Sequence, residues 1–425
     1  MLLVAALLAP AAGATPVATD DSSYSALGRV FPDPLAGCQN AGTSPCSPNA
    51  EGNVPATQFI GFDEFVGALK YMNQRDDWKR YMEVWALDGK DGPGSGTGLG
   101  GDAFPGNNLG KLEFKPDPRF QSAGLPTSTG DREHHDMMVV RVTDESVPDA
   151  GKKRYALSLS IHGIERAGVE GGTRAMEDLV TAYTTGLDKA KVVPKEVDAA
   201  APTFAEVLKH TIIYFTYPNP DGWSRGSVSQ GGVFFQRYNG NGVDENRDFP
   251  DIGFAFRPYS GLSEPESRAL SSFLLQVKSA GGGQFAAGDD LHGQPEADAL
   301  SYTLLPHGSH AYDKDIRIRE TAKTIHESSQ QRLAWSPIIQ NSDAPRGGGV
   351  PCGPDVLGTA CAKIYGQTWG SVYDTINYTT TGALGDYFDS SVGLAADGID
   401  NEMSFSHLDK NIVFDPHTEQ LHVDG

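Results

Sequence analysis

The stretch LSLSIHGIERAGVEGG, residues 157–172, decides the fold of this chain. Its beginning completes an apolar run, Tyr155–Ile161, that predicts a buried strand, and its glycines open a segment that predicts a helix. Between the two lie His162 and Glu165, an imidazole and a carboxylate that contribute nothing to packing at the end of a core strand. Ligand sites in α/β folds lie at the carboxyl ends of strands, so this turn is a candidate functional site.

Strands and helices alternate on both sides of this stretch. Strands are predicted at 81–87, 137–142, 155–161 and 211–216 and in a short run up to Leu291, and helices at 63–72, 174–180, 263–280 and 316–334. The helix at 263–280 begins with Ser263-Glu-Pro-Glu266, the pattern of a capping box. The alternation predicts an α/β fold, in which helices cover both faces of a mixed, mostly parallel twisted sheet. We expect a single domain with loop insertions.

The two ends of the chain differ in composition from its middle. Residues 1–19 form an apolar run that closes on small residues, which predicts a signal peptide. Residues 20–56 are polar and rich in proline and glycine, and they predict an irregular leader held by a disulfide. The folded domain is then expected at 57–425. We also expect a truncated C-terminus, because the 23 residues after Glu402 show no closing helix.

The four cysteines fall into two close pairs, Cys38 with Cys46 and Cys352 with Cys361, in loops rich in glycine, proline and serine. Four cysteines allow three pairings. The local pairing, which closes two short loops, is the one we expect for an exported protein. Together with the signal peptide, the cysteines predict a secreted protein.

The formal net charge of −21 argues against nucleic acid or an anionic membrane as a partner. Outside the first residues, no segment of the sequence is apolar enough to cross a bilayer. We therefore expect a protein that neither binds nucleic acid nor inserts into a membrane, and we also expect a monomer.

His162 and Glu165 can direct two side chains at one point, and His292, which follows a short predicted strand, has a matching context. Two imidazoles and a carboxylate suit one Zn²⁺ per chain with one coordination position left for water, the catalytic arrangement. A His-x-x-Glu pair is a weak signal by itself, and His162 could instead be a polar residue that caps a strand.

Further motifs follow in order along the chain: YPNPDG at 217–222, RYNGNGVDENRDFP at 237–250, YTTTGALGDYF at 378–388 and DNEMSFSH at 400–407. With His-x-x-Glu and the later histidine, this ordered set resembles the zinc metallocarboxypeptidase family of the carboxypeptidase A/B type. The resemblance covers roughly residue 57 to the end. It implies a hydrolase that removes C-terminal residues from peptides or proteins.

The resemblance also implies a role for each matching residue. The zinc ligands would be His162, Glu165 and His292, and Asp244 would accept the other N–H of a ligand imidazole. Glu402 would be the general base, which takes a proton from the attacking water and delivers it to the leaving amine. Arg237 would stabilise the oxyanion. The substrate carboxylate would be held by Asn246, Arg247 and the mobile Tyr378.

Two residues depart from the family pattern. Glu245 replaces a small or apolar residue and is expected to add negative charge near the carboxylate clamp. Gly385 stands where some relatives place the residue that selects the C-terminal side chain, and it offers no charge for lysine or arginine. Two alternatives remain open at this point: an amidase or peptidase for cell-wall peptides on the same fold, and a secreted binding module without catalysis.

Overall fold

The structure is a computed structural model. It describes residues 29–34, 55–56, 58–87, 125–126, 132–133, 135, 137–193, 198–223, 237–250, 261–280, 284–294, 301–306, 316–334, 369–372, 375 and 379–404. All four cysteines, the expected signal peptide and Tyr378 lie outside these ranges.

The described strands are β1 Met82–Leu87, β2 Leu125–Pro126, β3 Arg132–Glu133, β4 Met137–Val142, β5 Lys153–Leu159, β6 Thr211–Tyr217, β7 Phe285–Gln294, β8 Ser301–Leu305, β9 Trp369–Ser371 and β10 Asp397–Ser404. The helices are α1 Phe62–Gln74, α2 Ala167–Thr185, α3 Phe204–His210, α4 Pro220–Trp223, α5 Pro265–Ala280, α6 Ile316–Ala334 and α7 Leu384–Asp389. Two short 3₁₀ helices span Leu187–Lys189 and Glu245–Arg247.

Eight strands form one sheet in the order β1-β4-β6-β5-β7-β10-β8-β9, and β2 pairs with β3 separately. The four central strands, β6, β5, β7 and β10, run parallel to one another. On one side β4 and β1 continue the sheet with antiparallel pairings, and on the other side β8 runs antiparallel to β10. The predicted mixed α/β sheet is confirmed. Its parallel centre places the carboxyl ends of four strands at one edge.

The side chains of β4 alternate between two hydrophobic clusters, which lie on opposite faces of the sheet. Met138 and Val140 pack with α1 and α2, whereas Met137 and Val139 pack with α5 and α7. Both faces are therefore covered by helices, as the sequence predicts.

Part of the segment expected as a leader belongs to the core. Val30 and Phe31 are completely buried in the cluster of α1 and α2. Their backbone N–H groups donate to the carboxylate of Glu177 in α2. Asp33 also forms a bridge with Pro55, which ties the two described ends of this segment together.

Three element boundaries differ from the prediction. β5 ends at Leu159 because Ser160 adopts the left-handed conformation, with φ 58°. β7 is longer than predicted and includes His292. α5 begins at Pro265, and the backbone N–H groups of Ser263 and Glu264, just before it, donate to the carboxylate of Asp248 at 2.9 and 2.8 Å.

Among the described residues, the longest helices are either too polar or too short to form a membrane-spanning segment.

Candidate metal centre

The turn after β5 is held tightly in place. The carbonyl of Ile161 accepts a hydrogen bond from the amide of Asn219 at 2.9 Å. A Cβ at Gly163 would lie 2.1 Å from the carbonyl carbon of Gly222, so only glycine allows these two turns to touch. The YPNPDG motif thus acts structurally here, by fixing the segment that carries His162.

Three of the predicted site residues converge. Nδ1 of His162 lies 2.9 Å from Oε1 of Glu165, and Nδ1 of His292 lies 2.8 Å from Oε2 of the same carboxylate. The two imidazole centroids are 4.8 Å apart. All three residues are buried, and one ligand atom from each lies within 4.8 Å of the other two.

The outward nitrogen of each imidazole also contacts a carboxylate. Nε2 of His162 lies 3.0 Å from Oδ1 of Asp244, and Nε2 of His292 lies 2.7 Å from Oδ2 of Asp290. A carboxylate at Nε2 favours the tautomer with hydrogen on Nε2, which leaves the lone pair of Nδ1 facing Glu165. The structure thus adds Asp290 as a second partner of this kind. The sequence contains its signal: Asp290 is two residues before His292 in one strand, so both face the same side.

This donor set fits zinc. Two imidazole nitrogens and one carboxylate oxygen are typical ligands of a catalytic Zn²⁺, and each imidazole is oriented by a further carboxylate. Charge favours a cation as well. Burial opposes ionisation of Glu165, but the positive charges and hydrogen bonds that His162 and His292 provide when they are protonated outweigh it and lower the pKa of Glu165 below its usual range. A Zn²⁺ ion would replace those protons as the positive charge next to the carboxylate.

Arg237 lies at the rim of this cluster. Its Nε donates to Oδ2 of Asp244 at 3.0 Å and its Nη1 to Oε1 of Glu165 at 3.2 Å. The side chain keeps 32% of its surface exposed. The guanidinium is therefore held in place by two carboxylates yet remains accessible from solvent.

Glu402 lies opposite His292 in the parallel pairing of β10 with β7. Burial raises the pKa of Glu402 to about 8, and the negative charge of Glu165 adds to this, whereas His292 and Arg237 oppose it. A half-buried carboxyl with a pKa near neutrality, beside a ligand imidazole, is suited to proton transfer.

Asn246 and Arg247 lie in the 3₁₀ helix that follows Asp244. Nδ2 of Asn246 is 3.1 Å from Nε2 of His292, and its Oδ1 accepts the backbone N–H of Leu384 at 2.7 Å. Arg247 donates from Nη1 to the carbonyl of Asn246 at 2.6 Å. The two residues expected to hold a carboxylate therefore lie next to the metal cluster.

Glu245, which is expected to add negative charge near this clamp, lies in the same 3₁₀ helix and is buried. Its side chain is 1% exposed and its carboxyl group makes no hydrogen bond among the described residues. Burial, and then the nearby Glu266 and Asp221, raise the pKa of Glu245 well above its usual range. Burial therefore disfavours the charged form of Glu245.

Tyr378, the remaining residue of the predicted site, lies outside the described residues. All the other predicted site residues surround the cluster of His162, Glu165 and His292.

The sequence profile of the zinc carboxypeptidase family, peptidase family M14, matches residues 128–422. Carboxypeptidase SOL1 of Arabidopsis thaliana is similar, with 37% identity over 136 residues, which is 28% of this chain and 25% of that protein. The chain thus spans only about a quarter of the length of this curated relative.

Solved structures are similar as well. Carboxypeptidase A from Helicoverpa armigera is 13% identical, with 86% of this chain and 70% of that chain covered and a TM-score of 0.48. Bovine thrombin-activatable fibrinolysis inhibitor, solved with a tick carboxypeptidase inhibitor, is also 13% identical, with 86% and 95% covered and a TM-score of 0.46. Because the family profile spans more than half of the sequence, this chain belongs to the zinc carboxypeptidase family.

Proposed function

We propose that this protein is a secreted zinc-dependent carboxypeptidase that hydrolyses the C-terminal peptide bond of peptides or proteins. The observation that carries the proposal is the convergence of Nδ1 of His162 and Nδ1 of His292 on the carboxylate of Glu165, with Glu402 beside them. The family match supports the same activity.

His162, Glu165 and His292 would hold one Zn²⁺, which would supply a Lewis acid to polarise the scissile carbonyl and to lower the pKa of a water molecule. Asp244 and Asp290 keep the two imidazoles oriented. Glu402 takes the proton of the attacking water and gives it to the leaving amine, and its raised pKa suits both transfers. Arg237, anchored by Asp244, provides positive charge where the oxyanion forms.

The substrate carboxylate would be bound by Asn246 and Arg247, with Tyr378 closing over it. A guanidinium can hold a carboxylate through two parallel hydrogen bonds. Internal peptide bonds lack this charge, so such a clamp restricts cleavage to the free C-terminus.

The compartment and the assembly state are further parts of the proposal. The apolar residues 1–19 and the two local cysteine pairs support export into an oxidising compartment. We also propose a monomer.

The direct test uses the zinc-loaded protein and a pair of peptides that are identical except that one ends in a carboxylate and the other in an amide. We expect release of the last residue from the first peptide only, detected by mass spectrometry. Equal hydrolysis of both peptides would favour the amidase alternative, and binding without hydrolysis would favour the binding module.

A further inference from the structure

A second cluster of buried acids lies directly below the metal cluster. The parallel pairing of β7 with β10 aligns Asp290 with Asp400 and, two residues further along, His292 with Glu402. Because side chains two residues apart in a strand share a face, these four side chains form two rows on one face of the sheet. The upper row contains a metal ligand and the proposed base, and the lower row contains two aspartates.

The lower row is buried and incompletely paired. Asp290 is 0% exposed and Asp400 is 6% exposed. Oδ1 of Asp290 and Oδ1 of Asp400 make no hydrogen bond among the described residues. The ligand atoms of Asp290, His292 and Asp400 lie within 4.8 Å of one another. Unpaired carboxylate oxygens at such depth are costly unless a cation or a donor reaches them.

Gly385 provides the room for this carboxyl group. A Cβ at Gly385 would lie 2.2 Å from Oδ1 of Asp400 and 2.7 Å from its Cγ. Asp400 therefore takes the space that a side chain at 385 would fill. The sequence shows only that glycine brings no charge to position 385, whereas the structure places the carboxyl group of Asp400 there from another strand.

Asn246, one of the residues proposed to bind the substrate carboxylate, lies close to the lower row. Its Oδ1 accepts the backbone N–H of Leu384, the residue before Gly385. Its Nδ2 is 3.1 Å from Nε2 of His292. A substrate residue whose carboxylate is bound at Asn246 would have its side chain near Gly385. The two rows are about 7 Å apart along the strands, which is similar to the distance from Cα to the charged group of an extended lysine or arginine.

We propose that Asp400, with Asp290, receives the positively charged end of the substrate's C-terminal side chain, so that the enzyme prefers C-terminal arginine or lysine. The inference rests on the proposed carboxypeptidase function. Asp400 determines specificity, whereas Asp290 also orients His292. A neutral side chain would leave the two carboxylate oxygens unpaired and would bind less well.

A second metal ion is the competing occupant of this cluster. It would require His292 as a shared ligand, but Nδ1 of His292 faces Glu165 and Nε2 contacts Asp290 at 2.7 Å. Both nitrogens are thus engaged, and an organic cation that binds only the two aspartates is the better fit.

The test compares blocked dipeptides that differ only in their last residue: arginine, its neutral isostere citrulline, lysine and leucine. We expect kcat/KM of the zinc-loaded wild type to be at least about 100-fold higher for arginine than for citrulline. In Asp400→Asn, which keeps the size of the side chain, this ratio should fall to within about 3-fold of unity. Asp76→Asn, which removes an exposed charge elsewhere, should leave the ratio as in the wild type.

The outcomes separate this inference from the proposed function. Release of citrulline or leucine as fast as arginine would overturn the specificity inference and leave the carboxypeptidase intact. Release of no residue at all would overturn both. Metal content, measured by plasma mass spectrometry, is a further test. Two metal ions per wild-type chain and one in Asp400→Asn would also overturn the specificity inference. The wild-type substrate profile decides the question even if the variant does not fold.

Discussion

Asp290 has the same relation to His292 as Asp244 has to His162, since each carboxylate contacts the Nε2 of its imidazole, at 2.7 and 3.0 Å. Partners of this kind fix the tautomer and the orientation of a ligand imidazole. We expect Asp290→Asn to weaken zinc binding about 10- to 100-fold, measured by competition with a chromogenic chelator.

Asp289→Asn is the matched control for this change. Asp289 is the neighbouring residue, its side chain is on the other face of β7, and its Oδ2 accepts from Asn401 at 2.6 Å. An equal loss of zinc affinity in both variants would show that Asp290 acts through general charge and not by orienting His292.

Glu402→Gln separates metal binding from catalysis. Glutamine keeps the shape of the side chain but cannot accept the proton of the attacking water. We expect zinc content to remain at one ion per chain while kcat falls about 10²- to 10⁴-fold, measured with a C-terminal release assay. Turnover at the wild-type rate would remove Glu402 from the role of base.

Arg247→Ala tests the carboxylate clamp. The variant loses a charged donor that would hold the substrate before and during the reaction, so KM should rise about 10- to 100-fold, with a smaller change in kcat. A large fall in kcat at unchanged KM would instead assign Arg247 to the reacting centre. Initial rates over a wide substrate range distinguish the two results.

At this scale the sequence predicted which residues come together. His162, Glu165, His292 and Asp244 converge as expected, because each is anchored to a motif with a fixed position in the fold. The burial of Glu245 among other acids was not predicted, because it depends on residues distant in sequence. The proximity of Asp290 and Asp400 was not predicted either, because it depends on β7 and β10 being neighbours in the sheet.

At the scale of elements, the predicted strands and helices were mostly correct and their ends were not. The apolar run Tyr155–Ile161 extends past the strand because Ser160 adopts φ 58° while Ile161 remains buried. The hydroxyl of Ser160 accepts the N–H of Val169 at 2.9 Å, which joins the strand end to the first turn of α2. Hydrophobicity reports burial, so it cannot locate a turn within a buried run.

His326 in α6 gives an element-scale prediction on pH. It is buried, with its Nδ1 3.4 Å from the hydroxyl of Thr303 in β8, and burial lowers its pKa from 6.5 to about 4. Between these two values the unfolded chain binds the proton and the folded chain does not. Acidification from pH 6.5 to 4 therefore favours unfolding, by up to about 3 kcal/mol from this residue.

We expect His326→Gln to lose less stability than the wild type over this interval, measured by urea unfolding at several pH values. Other groups titrate in the same range, so the quantity to compare is the difference between the two proteins. A difference that stays constant from pH 7 to 4 would contradict a neutral, buried His326.

At the scale of the whole molecule, the metal cluster joins parts of the chain that are far apart in sequence. His162 and Glu165 follow β5, Asp244 precedes a 3₁₀ helix, and His292 is in β7. The order of the strands, with β7 between β5 and β10, is what brings them together, and the alternation of elements alone did not specify that order. Strand order depends on packing across the whole sheet, which local patterns do not report.

This arrangement couples metal binding to global stability. Without a cation, the buried carboxylate of Glu165 is contacted by the two imidazoles, by Arg237 and by the backbone N–H of Gly293. A metal that binds the folded chain and not the unfolded one stabilises it by about 3 kcal/mol at a free concentration 100 times the dissociation constant. Removal of zinc should therefore lower Tm by several degrees, and added zinc should restore it.

His162→Ala is the control, because it removes one ligand and should make Tm insensitive to both chelator and zinc. Differential scanning calorimetry of the two proteins, with and without zinc, measures the effect. If chelation shifts Tm equally in both, the stabilising metal binds elsewhere. If zinc shifts Tm in neither, the three side chains do not form a metal site, and the proposed activity loses its structural basis.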